Sequence, residues 1–288
     1  MRFCDLSAQM QISERKITMV ENKDFKEIFE DIKMTKMTKM TVTGGRDDPS
    51  IVEKVMAKGR VLAVKGCYDM VENVVPALYS AQKEIVGSGG LKGIDNLSAF
   101  DLIIVGCPGQ GMNSEDFVKL QTFVKGGGFL LTTDLCLGNL TSRLFPDRIS
   151  AFGSTGDLDT SIELVEPDHV FLSGVQVDKD FKWHIQGSGH HIKINNERLV
   201  KILITGSGVY KGPLMVTFDY YKGTVVHMVS HTHQQAAGNQ CFLLALIMSN
   251  ILDEAVHQHH MCNELMDGKS RILLENEPIG SKTKNLLP

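Results

Sequence analysis

Asp101-Leu-Ile-Ile-Val-Gly-Cys-Pro-Gly109, Ser114-Glu-Asp-Phe-Val-Lys-Leu-Gln-Thr-Phe-Val124, Gly126-Gly-Gly128 and Phe129-Leu-Leu-Thr-Thr133 follow one another closely and decide the fold. The first and last are short continuous apolar runs, the pattern of strands buried on both faces. Between them lies a helix signal, with two acids in the first turn and a triple glycine as its stop. A strand, a helix and a strand in so few residues make a parallel pair with a crossover.

Working outward, Val61-Leu-Ala-Val-Lys-Gly66 is another buried-strand run ending in glycine, and Lys83-Glu-Ile-Val86 is a further strand. Met70 to Ala81 has a helical pattern interrupted by Pro76. After Phe145-Pro146 the pattern turns to strands with little helix between them, at 161–165, 190–194, 200–204, 214–218 and 224–230. Tyr221-Lys-Gly223 joins the last two as a hairpin turn. These predict an antiparallel flank on the sheet, covered by a helix from about Asn239 to His257. The fold class is α/β: a doubly wound, mostly parallel, flavodoxin-like sheet with an antiparallel flank.

The predicted organisation is an appendage over 1–44, a linker and lead-in helix over 45–59, the α/β domain over 60–266 and a flexible tail over 267–288. In the appendage, apolar residues at 25, 28, 29 and 32 form one helical stripe. With 288 residues, 42% hydrophobic and 22% charged, the chain is long enough for a full core. A net charge of −4 with scattered Lys and Arg excludes a nucleic-acid footprint. The apolar run Cys241 to Met248 is far below the ~18 to 20 residues that cross a bilayer, so no membrane is expected. Six dispersed cysteines without a C-x-x-C, and a start lacking an apolar signal core, predict reduced thiols in the cytoplasm.

Three segments carry a resemblance to a known family. Asp101 to Gly109 is similar to the strand and glycine-rich loop of class I glutamine amidotransferases, whose backbone amides form an oxyanion hole. Asp134-Leu-Cys-Leu-Gly138 stands where that family has its Gly-x-Cys-x-Gly nucleophile elbow. His231-Thr-His233 stands where it has His-Pro-Glu. The resemblance implies an amidotransferase-like fold, Cys136 as nucleophile, His231 as its base, and an oxyanion or ligand loop at Gly106, Cys107, Pro108 and Gly109. The same scaffold serves trehalose-utilisation-like proteins and the amidotransferase-like domain of gliding-motility and intraflagellar-transport proteins.

The residues themselves weigh against that chemistry. A nucleophile elbow needs small residues two before and two after the nucleophile; Gly138 fits and Asp134 does not. A carboxylate near the thiol also opposes the thiolate. His233 replaces the family's orienting Glu and cannot supply its charge. The expectation is therefore a degenerate site, a pseudoenzyme acting as a binding or scaffolding module, with a cysteine hydrolase or amidotransferase as the alternative.

Asp134, Trp183, His190 and His233 are the candidates for lining a crevice at the strand ends, where open α/β sheets take ligands. Trp183 precedes the Gly187-Ser-Gly189 turn. His227, His231 and His233 share strand parity and form a weak metal set; the cluster from His257 to Glu264 reads as a solvated helix end. No cofactor is expected. The predicted partners are another protein or a second copy of this chain, with a small molecule at the crevice.

Overall fold

The computed structural model describes residues 27–28, 30–34, 36, 57–75, 78, 82–177, 179–232 and 242–259. The predicted linker turn, His233 and the 267–288 tail lie outside them.

Five strands form the parallel half of an eight-stranded sheet: β1 (Arg60–Val64), β2 (Gln82–Val86), β3 (Leu102–Val105), β4 (Phe129–Thr133) and β12 (Gly223–Met228). Their order is β2-β1-β3-β4-β12, and every neighbouring pair is parallel. The sheet continues antiparallel through β11 (Lys211–Tyr220), β10 (Lys201–Ser207) and β7 (Ile162–Leu164). All residues of β3 and β4 are buried, which is why they read as unbroken apolar runs. The fold class is the predicted one.

Helix α1 (Val71–Val74) lies at the start of the expected 70–81 segment, of which residues 76–77 and 79–81 are outside the description. Helix α2 (Ser114–Lys125) is capped by Asn113, whose side chain accepts from the Glu115 and Asp116 amides at 2.8 and 3.0 Å. Asp116 returns a bond to the Asn113 N–H, completing a capping box. The helix ends where Phe123 folds back on Gly128, leaving no room for a Cβ there. After β4 come a π-helical turn (Leu137–Thr141) and the short α3 (Ser142–Leu144).

The expected strand at 190–194 exists but leaves the main sheet. As β9 (His191–Ile194) it pairs with β5 (Ile149–Phe152), and β6 (Leu158–Thr160) pairs with β8 (Trp183–Ile185), each as a separate antiparallel ribbon. Helix α4 (242–259) buries Leu243, Leu244, Ile247, Ile251 and Leu252 in the core. Its Asn250 amide donates to the Phe171 and Ser173 carbonyls at 3.0 Å each. Ile28 and Ile32, from the predicted N-terminal stripe, join the same core, and Lys36 pairs with Asp253 of α4. No helix among the described residues is long and apolar enough to cross a membrane.

Candidate functional site

The loops after β1, β3, β4 and β12 meet at the C-terminal ends of the parallel strands, beside the reversal of strand order. Asp134 is the first residue after β4, and its N–H is tied to the Met228 carbonyl at 2.8 Å. Its φ of +44° is left-handed, a conformation that costs a non-glycine residue about 1 kcal/mol or more. This is the sharp turn of an elbow, and its apex is Asp134.

Cys136 lies two residues further on, in ordinary right-handed backbone with φ −56°, and caps the π-helical turn. Its thiol is fully buried and turned towards the Val105 and Gly106 carbonyls at the end of β3, at 3.5 and 3.4 Å. Burial, with the charges of Asp69 and Asp134, pushes its pKa far up despite opposing backbone hydrogen bonds. Gly109, at φ +69°, packs so closely that a Cβ there would lie 3.1 Å from the sulfur. Cys136 thus sits below the elbow, as a packed thiol.

The loop predicted to donate to an oxyanion has its amides engaged within the protein. Gly106 N–H bonds Val64 O, Cys107 N–H bonds Thr133 Oγ1 and Gly109 N–H bonds Gly106 O, each at 3.0 Å. Pro108 has no N–H, and the bond before it is cis. The Cys107 carbonyl accepts from the Cys67 and Tyr68 amides at 2.9 and 3.1 Å. An oxyanion hole needs donors aimed at a reacting oxygen; these are aimed at the loop's own neighbours.

What converges at the elbow is a different set. Asp134 Oδ2 is 3.0 Å from His231 Nε2 and accepts the Cys107 thiol at 3.4 Å. The three ligand-type atoms lie within 4.8 Å of one another, all on buried residues. Burial and the Asp134 charge push the Cys107 thiol up strongly, against a Leu135 amide that pulls it down. Asp69, from the loop after β1, accepts from Thr232 N–H at 3.0 Å and from its hydroxyl at 2.5 Å, pinning the residue beside His231. Asp134 Oδ1 is buried without a hydrogen-bond partner. A Cβ on Gly189 would lie 2.2 Å from it and 2.8 Å from Thr155 Oγ1, so only glycine fits this cover over the carboxylate.

The remaining predicted residues are spread around this centre. His190 donates from Nδ1 to the Gly153 carbonyl at 2.9 Å, and its ring lies over Gly138. Trp183 is fully buried in the β6–β8 ribbon and lines no open crevice. His227 is buried inside β12, held neutral with its pKa pushed down to about 4 by burial. Thr141 donates to the Cys136 carbonyl, so Thr132 donates to Thr141 and His227 Nδ1–H donates to Thr132, at 3.2, 2.9 and 2.9 Å. That chain engages His227 Nδ1 inside the sheet, and the cluster of metal-ligand type at this site takes His231 without His227. The sequence reading missed Asp69, Thr155 and the Cys107 side chain. The signal for Cys107 was present, since a cysteine in a strand-end loop facing an elbow carboxylate is a ligand-type pair.

No family model matches the sequence, and no curated protein does. Solved structures do match. A ThuA-like protein from Bacteroides uniformis aligns at a TM-score of 0.51 and 10% identity, over 67% of this chain and 91% of its own. A glutamine amidotransferase from Thermotoga maritima aligns at 0.48 and 12%, over 69% and 98%. A cytoplasmic protein from Salmonella typhimurium aligns at 0.48 and 14%, over 66% and 97%. At 10% identity the likeness to the ThuA-like structure shows the fold alone, a shared α/β architecture.

Proposed function

We propose that this chain, built on the class I glutamine amidotransferase-like fold, is a non-catalytic binding module of a cytoplasmic assembly. The observation that carries the reading is the occupant of the elbow. Asp134 holds the left-handed position and pairs with His231, while the Cys136 thiol faces sheet carbonyls. A glutaminase needs a thiolate, an imidazole base and amide donors converging on one carbonyl. Here the imidazole meets a carboxylate, the thiol is held protonated by burial, and the loop amides are bonded elsewhere.

Support for binding comes from the surface beside this buried cluster. Tyr68 and Met70, on the loop after β1, are 57% and 50% exposed, apolar bodies at the edge where this fold class takes its ligands. The free cysteines Cys67, Cys107 and Cys136 suit a reducing compartment. The test is ammonia release from glutamine by the full chain and by Cys136→Ala. The reading expects no turnover that depends on Cys136. Turnover that the substitution abolishes would establish the cysteine-hydrolase alternative instead.

A further inference from the structure

We propose that Cys107 Sγ, Asp134 Oδ2 and His231 Nε2 form a mononuclear zinc site with one coordination position open to a non-protein ligand. Three separate strand ends deliver the donors: the loop after β3, the elbow after β4 and the segment after β12. Zinc takes a thiolate at about 2.3 Å and nitrogen or oxygen at about 2.0 to 2.2 Å, which in a tetrahedron sets donor pairs roughly 3.3 to 3.7 Å apart. Two of the three separations, 3.0 Å for Asp134 to His231 and 3.4 Å for Cys107 to Asp134, lie within about 0.3 Å of this range, and the third is under 4.8 Å.

The donors are also held in place before any ion arrives. Cys107 is fixed by its N–H on Thr133 and by two amides on its carbonyl. Asp134 is fixed by its amide on Met228, and His231 by the Asp69–Thr232 bonds next to it. Such supporting bonds are what orient ligands in metal sites.

Independent support comes from charge and from an orphaned atom. Asp134 is 4% exposed, and its Oδ1 has no hydrogen-bond partner. A buried carboxylate in this state is costly unless a cation compensates it. A divalent ion with Asp134 as carboxylate, Cys107 as thiolate and His231 neutral has no net charge, the state that a low-dielectric pocket favours. On binding, the Cys107 S–H bond breaks, sulfur keeps the electron pair, and the proton leaves to solvent. His231 presents its Nε2 lone pair with its proton on Nδ1. One thiolate, one imidazole and one carboxylate select zinc over magnesium or calcium, which take oxygen donors. The inference is independent of glutaminase activity, which engages Cys136 rather than Cys107.

The full chain, stripped with a chelator, is titrated with Zn2+ against a chromophoric competitor, and separately loaded with Co2+. One ion per chain is expected, with a thiolate-to-cobalt charge-transfer band. Cys107→Ser and His231→Gln should each lower affinity at least ~100-fold, whereas Cys67→Ser, at an exposed thiol, should leave it unchanged. If either variant fails to fold, the cobalt spectrum of the unaltered chain decides. Absence of stoichiometric binding, a spectrum without thiolate coordination, or full affinity in a folded Cys107→Ser protein would overturn the proposal.

Discussion

Two buried aspartates pair with histidines at opposite ends of the same sheet. At the N-terminal ends of the strands, Asp101 is bonded through both oxygens, Oδ1 to His259 Nδ1 at 2.5 Å and Oδ2 to the Arg60 N–H at 2.8 Å. Its backbone is ordinary, and His259 is partly exposed. At the C-terminal ends, Asp134 has left-handed backbone, a thiol and an imidazole on one oxygen, and an orphaned second oxygen. The first pair is a satisfied clasp joining α4 to β1 and β3. The second holds strain and unmet bonding capacity together, and such features concentrate at functional sites. Under the binding-module proposal, the difference separates structural polarity from the polarity of a binding site within a single fold.

The largest effect expected concerns neither pair but the histidine between them. His227 is fully buried and neutral, its pKa depressed from 6.5 to about 4. The unfolded chain takes up the proton first, so stability falls as pH drops through that interval, by about 3 kcal/mol in all. Urea melts from neutral pH down to about pH 4 should show this loss, and His227→Gln should flatten it. Next, Gly189→Ala should cost about 2 kcal/mol by driving a methyl into Asp134 Oδ1. A neutral result would mean that the cover over the elbow is loose.

Removing each charge in turn tests whether the two pairs differ. Asp101→Asn should destabilise the metal-free protein by about 1 to 2 kcal/mol, because two satisfied donors lose a charged acceptor. Asp134→Asn should change it by less than about 1 kcal/mol, because removing a half-satisfied buried charge recovers desolvation. Equal losses in denaturant melts would show that the two pairs are alike. The smallest effect belongs to His259, whose pKa is raised mainly by its bond to Asp101. Its folded pKa exceeds the unfolded value of 6.5, so its contribution is complete below that pH and fades as pH rises through the folded pKa. His259→Gln should therefore cost more below about pH 6 than in mild alkali.

Much of the fold was legible because buried parallel strands are written as continuous apolar runs. β1, β3 and β4 lie within a residue of the expected 61–65, 101–105 and 129–133. The ribbon strands were hidden by their brevity. β6 and β8 have three residues each, too few for a period to show, and β5 lies half-exposed after a proline. His191–Ile194 reads as a strand from its own residues, but nothing in them indicates that its partner is β5 and not the main sheet.

The three segments led to the strand ends where Cys107, Asp134 and His231 meet, yet the elbow's apex falls on Asp134, two residues before the cysteine that the motif drew attention to. Read locally, Asp134 was a flaw in a nucleophile motif. Only the backbone, which puts it first after β4 and brings His231 to 3.0 Å, shows it at the centre.

That centre is tested most directly by alkylating the native chain across pH and locating the modified cysteine by mass. Cys136 should stay unmodified at neutral pH until the protein is unfolded, while exposed Cys67 reacts. Rapid modification of Cys136 in the folded chain, with a thiolate titrating below the ordinary ~8.5, would contradict it and restore Cys136 as the nucleophile.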